Sequence, residues 1–158
     1  MVSWYSALLV AHSYLRWGVL GMSVVCVARA AHGWARRRPF ERADERVVRV
    51  LLSIVDTQLL LGLLLYAGLS PITGAALHDV RGAMSNSVLR FFSLEHQVAM
   101  VAAIAVLHVG LLRAKRLGAD PKRHRSVLVS TAAALVLFVV GVPWPGLPYA
   151  RPLLRWLA

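Results

Sequence analysis

Acidic residues are scarce in this chain of 158 residues: seven Asp and Glu stand against eighteen Lys and Arg, a formal charge of +11. Cysteine is scarcer still. Cys26 alone is present, which excludes an intramolecular disulfide and a CxxC metal site, and it sits in an apolar block where a small packing residue belongs. No nucleophile elbow, phosphate loop or HExxH occurs, so the common hydrolase and nucleotide-binding classes find no support. Short alternating apolar runs are also missing, which argues against strands. No basic region precedes the first apolar run and no small-residue cleavage site follows it, so that run reads as a retained helix.

What is present is apolar length. Hydrophobic residues make up 58% of the chain, more than a soluble domain of this size can hide. They fall into four blocks, about 6–30, 47–69, 88–112 and 126–142, each near the ~20 residues that cross a hydrocarbon core. Backbone in lipid must satisfy itself, so the blocks predict an all-α membrane protein, a single domain folded as a four-transmembrane-helix bundle.

The positive charge is not spread evenly. Thirteen of the eighteen Lys and Arg lie within Arg29–Arg49 and Arg113–Arg125, in the connectors RAAHGWARRRPFERADER and LRAKRLGADPKRHR. The connector between the second and third blocks, 70–87, carries only Arg81 against Asp79. Basic connectors on one side predict that side to be cytoplasmic, with both termini on the outer, periplasmic side of a bacterial inner membrane. The same distribution suits anionic lipid headgroups rather than nucleic acid. Trp4, Tyr5, Tyr66, Trp144 and Tyr149 then fall at the outer interface and Trp34 at the inner one. Within the outer connector, Ala75–Met84 reads as a short interfacial helix, with Asn86 or Ser87 capping the third span. The proline-rich tail PWPGLPYARPLLRW stops the fourth helix and runs along the interface.

Ionisable residues inside spans are costly and mark candidate sites. His12, Arg16, Asp56, Glu95 and His96 lie at similar depth in the outer half of the first three spans. His12 and Arg16 share a face in successive turns. Two histidines at equal depth on different helices suit axial ligation of a haem iron, with Arg16, Arg81 or Arg90 opposite propionates. Gly18, Gly21, Ala99, Ala102 and Ala103 leave room for a bulky ring. Two other readings use the same residues: interhelical hydrogen bonding with Arg16 neutralising Asp56, and a quinone or proton site at Glu95 and His96. His108 is a candidate for a second site with His32 or His124, which otherwise read as solvated residues of the basic connectors. Gln58, Gly62 and Tyr66 form an i, i+4, i+8 stripe that reads as helix packing.

HSYLRW in the first span, QLLLGLLLY in the second, and LRFFSLEH followed by LHVG in the third resemble small bacterial four-helix membrane cytochromes b. The broader likeness is to the cytochrome b561 group, four-helix haem b electron carriers. The resemblance implies haem b, electron exchange with a quinone or a small oxidant, and other electron-transfer membrane subunits as partners. Any enzymatic role would be as a membrane oxidoreductase component. By position it assigns the ligand role to His12 and His96. The chain departs from the two-haem pattern, since the second span offers Asp56 and the fourth has no internal histidine, so one haem is expected. The alternatives are a cofactor-free accessory subunit of a larger membrane complex and a proton-coupled small transporter.

Overall fold

The computed structural model describes residues 4–156, and among them the fold is all-helical. Helix α1 spans Trp4–Ala35 and α2 spans Arg42–Leu64, continued by a π-helical turn at Leu65–Leu69. Three short helices follow, α3 (Pro71–His78), α4 (Val80–Ser85) and α5 (Ser87–Arg90). A second π-helical turn, Phe91–Glu95, joins α5 to α6 (His96–Lys115), and α7 spans Lys122–Val140. Four stretches, Trp4–Ala35, Arg42–Ala67, Ser87–Lys115 and Lys122–Val140, are long and apolar enough to cross a membrane. They alternate in direction, so the start of α1 at Trp4 and the segment after α7 share one end of the bundle with the 70–86 connector, here the terminal end. The basic connectors form the other end.

The spans overrun the expected apolar blocks mainly at the basic end, because charged residues there continue the helices and satisfy their termini. The Asp44 carboxylate accepts from the Glu41 backbone N–H at 3.1 Å, closing the first turn of α2. The 70–86 connector forms two short helices where one was expected. Pro71 and the Ser70 hydroxyl start α3, and Asp79, whose side chain accepts from Gly82 N–H at 2.9 Å, breaks the run and caps α4. Asn86 caps the third span as expected, accepting from Val88 and Leu89 N–H.

Packing follows the small residues. Helix α7 lies against both α1 and α6, and α2 lies against α1. Ala103 and Ala134 are wholly buried. A Cβ at Gly110 would overlap Ser130, and one at Gly141 would overlap the Met100 methyl, so α6 approaches α7 closely at both points. No comparable packing joins α2 to α6.

At the basic end Asp44 is 4% exposed. It receives Arg29 at 2.9 Å and Arg38 at 2.6 Å, tying α1 and the first connector to α2. Hydrogen bonding to Asp44 holds the Arg38 guanidinium above its ordinary pKa. His124, expected to be solvated, is fully buried instead. It lies against the Phe40 ring at 4.8 Å and on Gly33, where a Cβ would overlap the imidazole. Arg123 covers Phe40 and bonds Glu45 at 3.1 Å. Removing the one carboxylate that two guanidinia share leaves Arg29 unpaired and Arg38 with only the more distant Glu41 at 3.8 Å. Asp44→Ala should therefore cost about 3 kcal/mol, and Asp44→Asn should recover only part of it. Reversible SDS unfolding in mixed micelles measures this, and a loss below about 0.5 kcal/mol would contradict the assigned role.

Candidate functional site: a histidine-lined cavity at the terminal end

Where α2 and α6 part, a cavity of about 300 Å³ opens between α1, α2 and α6. That volume lies at the lower end of the range for small-molecule sites. Apolar residues such as Leu20, Val55, Ile104 and Phe138 line it, together with His12, His96, Gln58, Tyr66, Arg16, Arg151 and Arg155.

The two histidines meet here as the sequence led us to expect. Their ring centroids lie 6.4 Å apart with planes at 66°. His96 Nδ1 lies 2.8 Å from the Gly141 carbonyl. A carbonyl only accepts, so Nδ1 carries the proton and Nε2 keeps its lone pair, the tautomer that a metal-ligating imidazole needs. Gly141 follows the last turn of α7, so the fourth span, which has no internal histidine, sets the orientation of the third span's ligand candidate. His12 Nδ1 is buried without a hydrogen-bond partner.

The second span contributes more than packing. Gln58 Nε2 donates to the His12 carbonyl at 3.0 Å. A Cβ built at Gly62 would stand 3.3 Å from His12 Cε1, so the glycine is what admits the imidazole at that height. Tyr66 OH donates to the Ser93 carbonyl at 3.2 Å. Ser93 and Phe92 lie in the π-helical turn, which disturbs the helical hydrogen-bond ladder. Tyr66 meets the Ser93 carbonyl, and Gln97 donates to the Phe92 carbonyl at 3.3 Å. The stripe Gln58–Gly62–Tyr66 is thus a cavity wall. Its signal in the sequence was a glycine at i+4 between two polar residues, in the span facing His12.

The other polar residues of the expected layer are dispersed. Arg16 does not pair with Asp56: its Nη2 donates to the Leu153 carbonyl of the tail at 2.7 Å. Asp56 accepts from His108 Nε2 at 2.9 Å, and both side chains are exposed on the bundle surface, 54% and 37%. Glu95 pairs with Arg90 at 2.6 Å, and Arg90 also donates to the Met84 carbonyl. Arg90, Glu95, Asp56 and His108 therefore do not line the cavity. Equal depth had suggested one network, but azimuth separates these groups: depth is readable from sequence, whereas the rotation of each helix depends on its packing. The same holds for Gly18, Gly21, Ala99, Ala102 and Ala103, none of which borders the cavity. Its room comes from Gly62 and from the parting of α2 and α6. His108 has no histidine partner, His32 and His78 are exposed, and His124 is enclosed at the basic end.

The tail, which sequence reading placed along the interface, folds back over the cavity. Tyr149 stacks on Phe91 at 3.7 Å and 9°. Trp144 meets Trp17, and Trp156 meets Tyr14. Trp17 Nε1 also donates to the Leu153 carbonyl at 3.2 Å. These contacts bring Arg151 and Arg155 to the cavity, and no periodicity in the sequence announces them.

No family model, curated protein or solved structure matches the chain. Among the described residues, no group of three or more His, Cys, Asp or Glu is placed to hold a metal ion. The site is thus a pair of imidazoles in an apolar cavity, with guanidinia beside them.

Because Gly62 stands against His12 and nothing lies within 4 Å of a Cβ at Gly21, the two glycines should respond differently to the same substitution. Gly62→Val should destabilise by about 1–3 kcal/mol through overpacking, while Gly21→Val should stay within about 0.5 kcal/mol of wild type. Unfolding in mixed micelles compares them, and equal effects would contradict the wall assigned to Gly62.

Proposed function

We propose that this chain is an integral membrane haem b protein that carries electrons, with His12 and His96 as the residues that would hold its iron. The observation that carries the reading is the separation of the two rings across an apolar cavity. Two imidazoles sharing an iron at about 2 Å per bond have centroids roughly 6 Å apart, and here the centroids are 6.4 Å apart. The His96 tautomer, fixed by Gly141, supports the same reading. A ligand pair needs no third protein donor when a macrocycle supplies the other four.

When bound, haem b supplies one-electron transfer, and the protein supplies position and surroundings. His96 is oriented through Nδ1 by the Gly141 carbonyl. Gln58 braces the backbone of His12, and Gly62 sets the clearance beside its ring. Leu20, Val55, Ile104 and Phe138 line the cavity with apolar surface. We place the protein in a bacterial inner membrane, basic connectors toward the cytoplasm, on the strength of the Arg and Lys distribution. The site then lies near the outer surface, within reach of a quinone or an electron-transfer subunit.

An absorption spectrum of protein purified after expression with added haem tests the proposal. Wild type should show a Soret band. His12→Ala and His96→Ala should each lose the six-coordinate spectrum, while His78→Ala, in the exposed connector, should keep it. Absence of a Soret band in folded wild-type protein would overturn the haem reading and leave a cofactor-free accessory subunit as the better description.

A further inference from the structure

The charges around the cavity do not balance. Arg16, Arg151 and Arg155 line it, and no Asp or Glu among the described residues does. Among the described residues, none of these three guanidinia meets a carboxylate. Arg16 spends one donor on the Leu153 carbonyl, while its Nε is buried without a partner. Arg151 reaches only the carbonyl of its neighbour Ala150 at 3.4 Å and the face of Phe92 at 4.9 Å. Arg155 makes no hydrogen bond or ion pair within the described residues. By contrast, Arg29, Arg38, Arg90 and Arg123 each meet an Asp or Glu. Other arginines without a carboxylate, such as Arg36, Arg49, Arg81 and Arg116, are exposed to the surroundings, whereas Arg16, Arg151 and Arg155 are half-buried and line one cavity beside the histidine pair.

Holding them there is the work of the tail. The Phe91–Tyr149 stack, the Trp17–Trp144 and Tyr14–Trp156 contacts, and the bonds of Arg16 and Trp17 to Leu153 seat residues 144–156 against α1 and the start of the third span. The Arg151 backbone N–H also donates to the Pro143 carbonyl at 3.2 Å. Burial, and then the neighbouring Arg151, lower the pKa of Arg155, which an anion between them would reverse. A guanidinium presents a planar fork that pairs with a carboxylate through two parallel hydrogen bonds.

We infer that Arg151 and Arg155, with Arg16, form a carboxylate-binding collar over the cavity, and that the carboxylates it takes are the two propionates of the haem. This rests on the haem reading and extends it to the tail: the apolar cavity and histidines take the macrocycle, and the tail holds its charged edge. The order of assembly follows, since a ligand entering from the terminal end meets the collar before the histidines.

The test compares haem with its dimethyl ester, which has the same ring and iron but no carboxylates. Full-length apoprotein is placed in nanodiscs of phosphatidylcholine alone, so that no anionic headgroup competes, and each compound is titrated by its Soret change. Wild type should bind the free acid at least about tenfold more tightly than the ester, as two charge-assisted pairs require. The double variant Arg151→Gln/Arg155→Gln should bring the two affinities to within about threefold, with the bound spectrum unchanged because His12 and His96 remain. Arg151→Lys/Arg155→Lys should restore part of the preference. Equal affinity of wild type for acid and ester, or full preference retained by the glutamine variant, would overturn the collar while leaving the haem reading intact. Wild type that binds neither compound would overturn both. Should the double variant fail to fold, the wild-type comparison of acid with ester still decides.

Discussion

The close approach of α7 to its neighbours is the constraint on which the rest of the structure depends. Small residues set it: Gly110 against Ser130 and Gly141 against Met100 toward α6, and Gly33 under the His124 ring toward α1. Because α7 engages α1 on one side and α6 on the other, those two helices lie apart around it. Helix α2 then packs chiefly against α1, touching α6 at Asp56–His108 and α7 at Glu45–Arg123, and much of the space facing α6 stays open. Had α2 and α6 met as a symmetric bundle would bring them, the cavity would be filled. Instead His12 comes from the helix that α2 and α7 share, and His96 from the helix that only α7 holds. The end of α7 supplies the carbonyl that fixes the His96 ring.

This arrangement explains which features the sequence reveals and which it conceals. Four helices were legible because lipid-compatible backbone requires long apolar runs, and the runs are there. The meeting of His12 and His96 was legible because depth along a span follows from counting residues. Azimuth does not follow from counting when a helix is apolar all round, as α1 and α6 are. So Asp56, at a matching depth, turned out to face His108, and Arg16 turned away from it toward the tail. The stripe Gln58–Gly62–Tyr66 was visible as a stripe, but whether it faced a helix or a hole depended on how far α6 stands off from α2 on that side. His124 lies in a run of basic residues, KRHR, whose neighbours Lys122 and Arg125 are exposed, and only the groove at Gly33 takes its imidazole inside.

The tail was the least legible part. Its prolines announce the end of a helix and nothing about where the chain goes next. Its path is set by aromatic contacts between residues that lie far apart in sequence, Tyr149 with Phe91 and Trp156 with Tyr14. Interfacial aromatics were expected to face lipid headgroups. Trp144 and Tyr149 pack on Trp17 and Phe91 of the spans instead, which turns an anchoring segment into a cover.

Pairing decides the electrostatic character of the cavity. Each carboxylate that might have neutralised it is engaged elsewhere: Asp44 by Arg29 and Arg38, Glu45 by Arg123, Asp56 by His108, and Glu95 by Arg90. Acidic residues are few, and these pairings hold them at the basic end, at the α2–α6 surface or on the outside of the third span. What remains around the cavity is two imidazoles and three guanidinia, a set that favours anions and repels cations. An apolar interior with a cationic rim selects for molecules that are themselves divided into an apolar body and an anionic edge. A neutral quinone would satisfy the interior but leave the guanidinia unmatched, and a small free anion would satisfy the guanidinia but leave the apolar volume unfilled. The haem we propose, a tetrapyrrole with two carboxylates, would answer both parts, with the histidine pair as the third point of recognition.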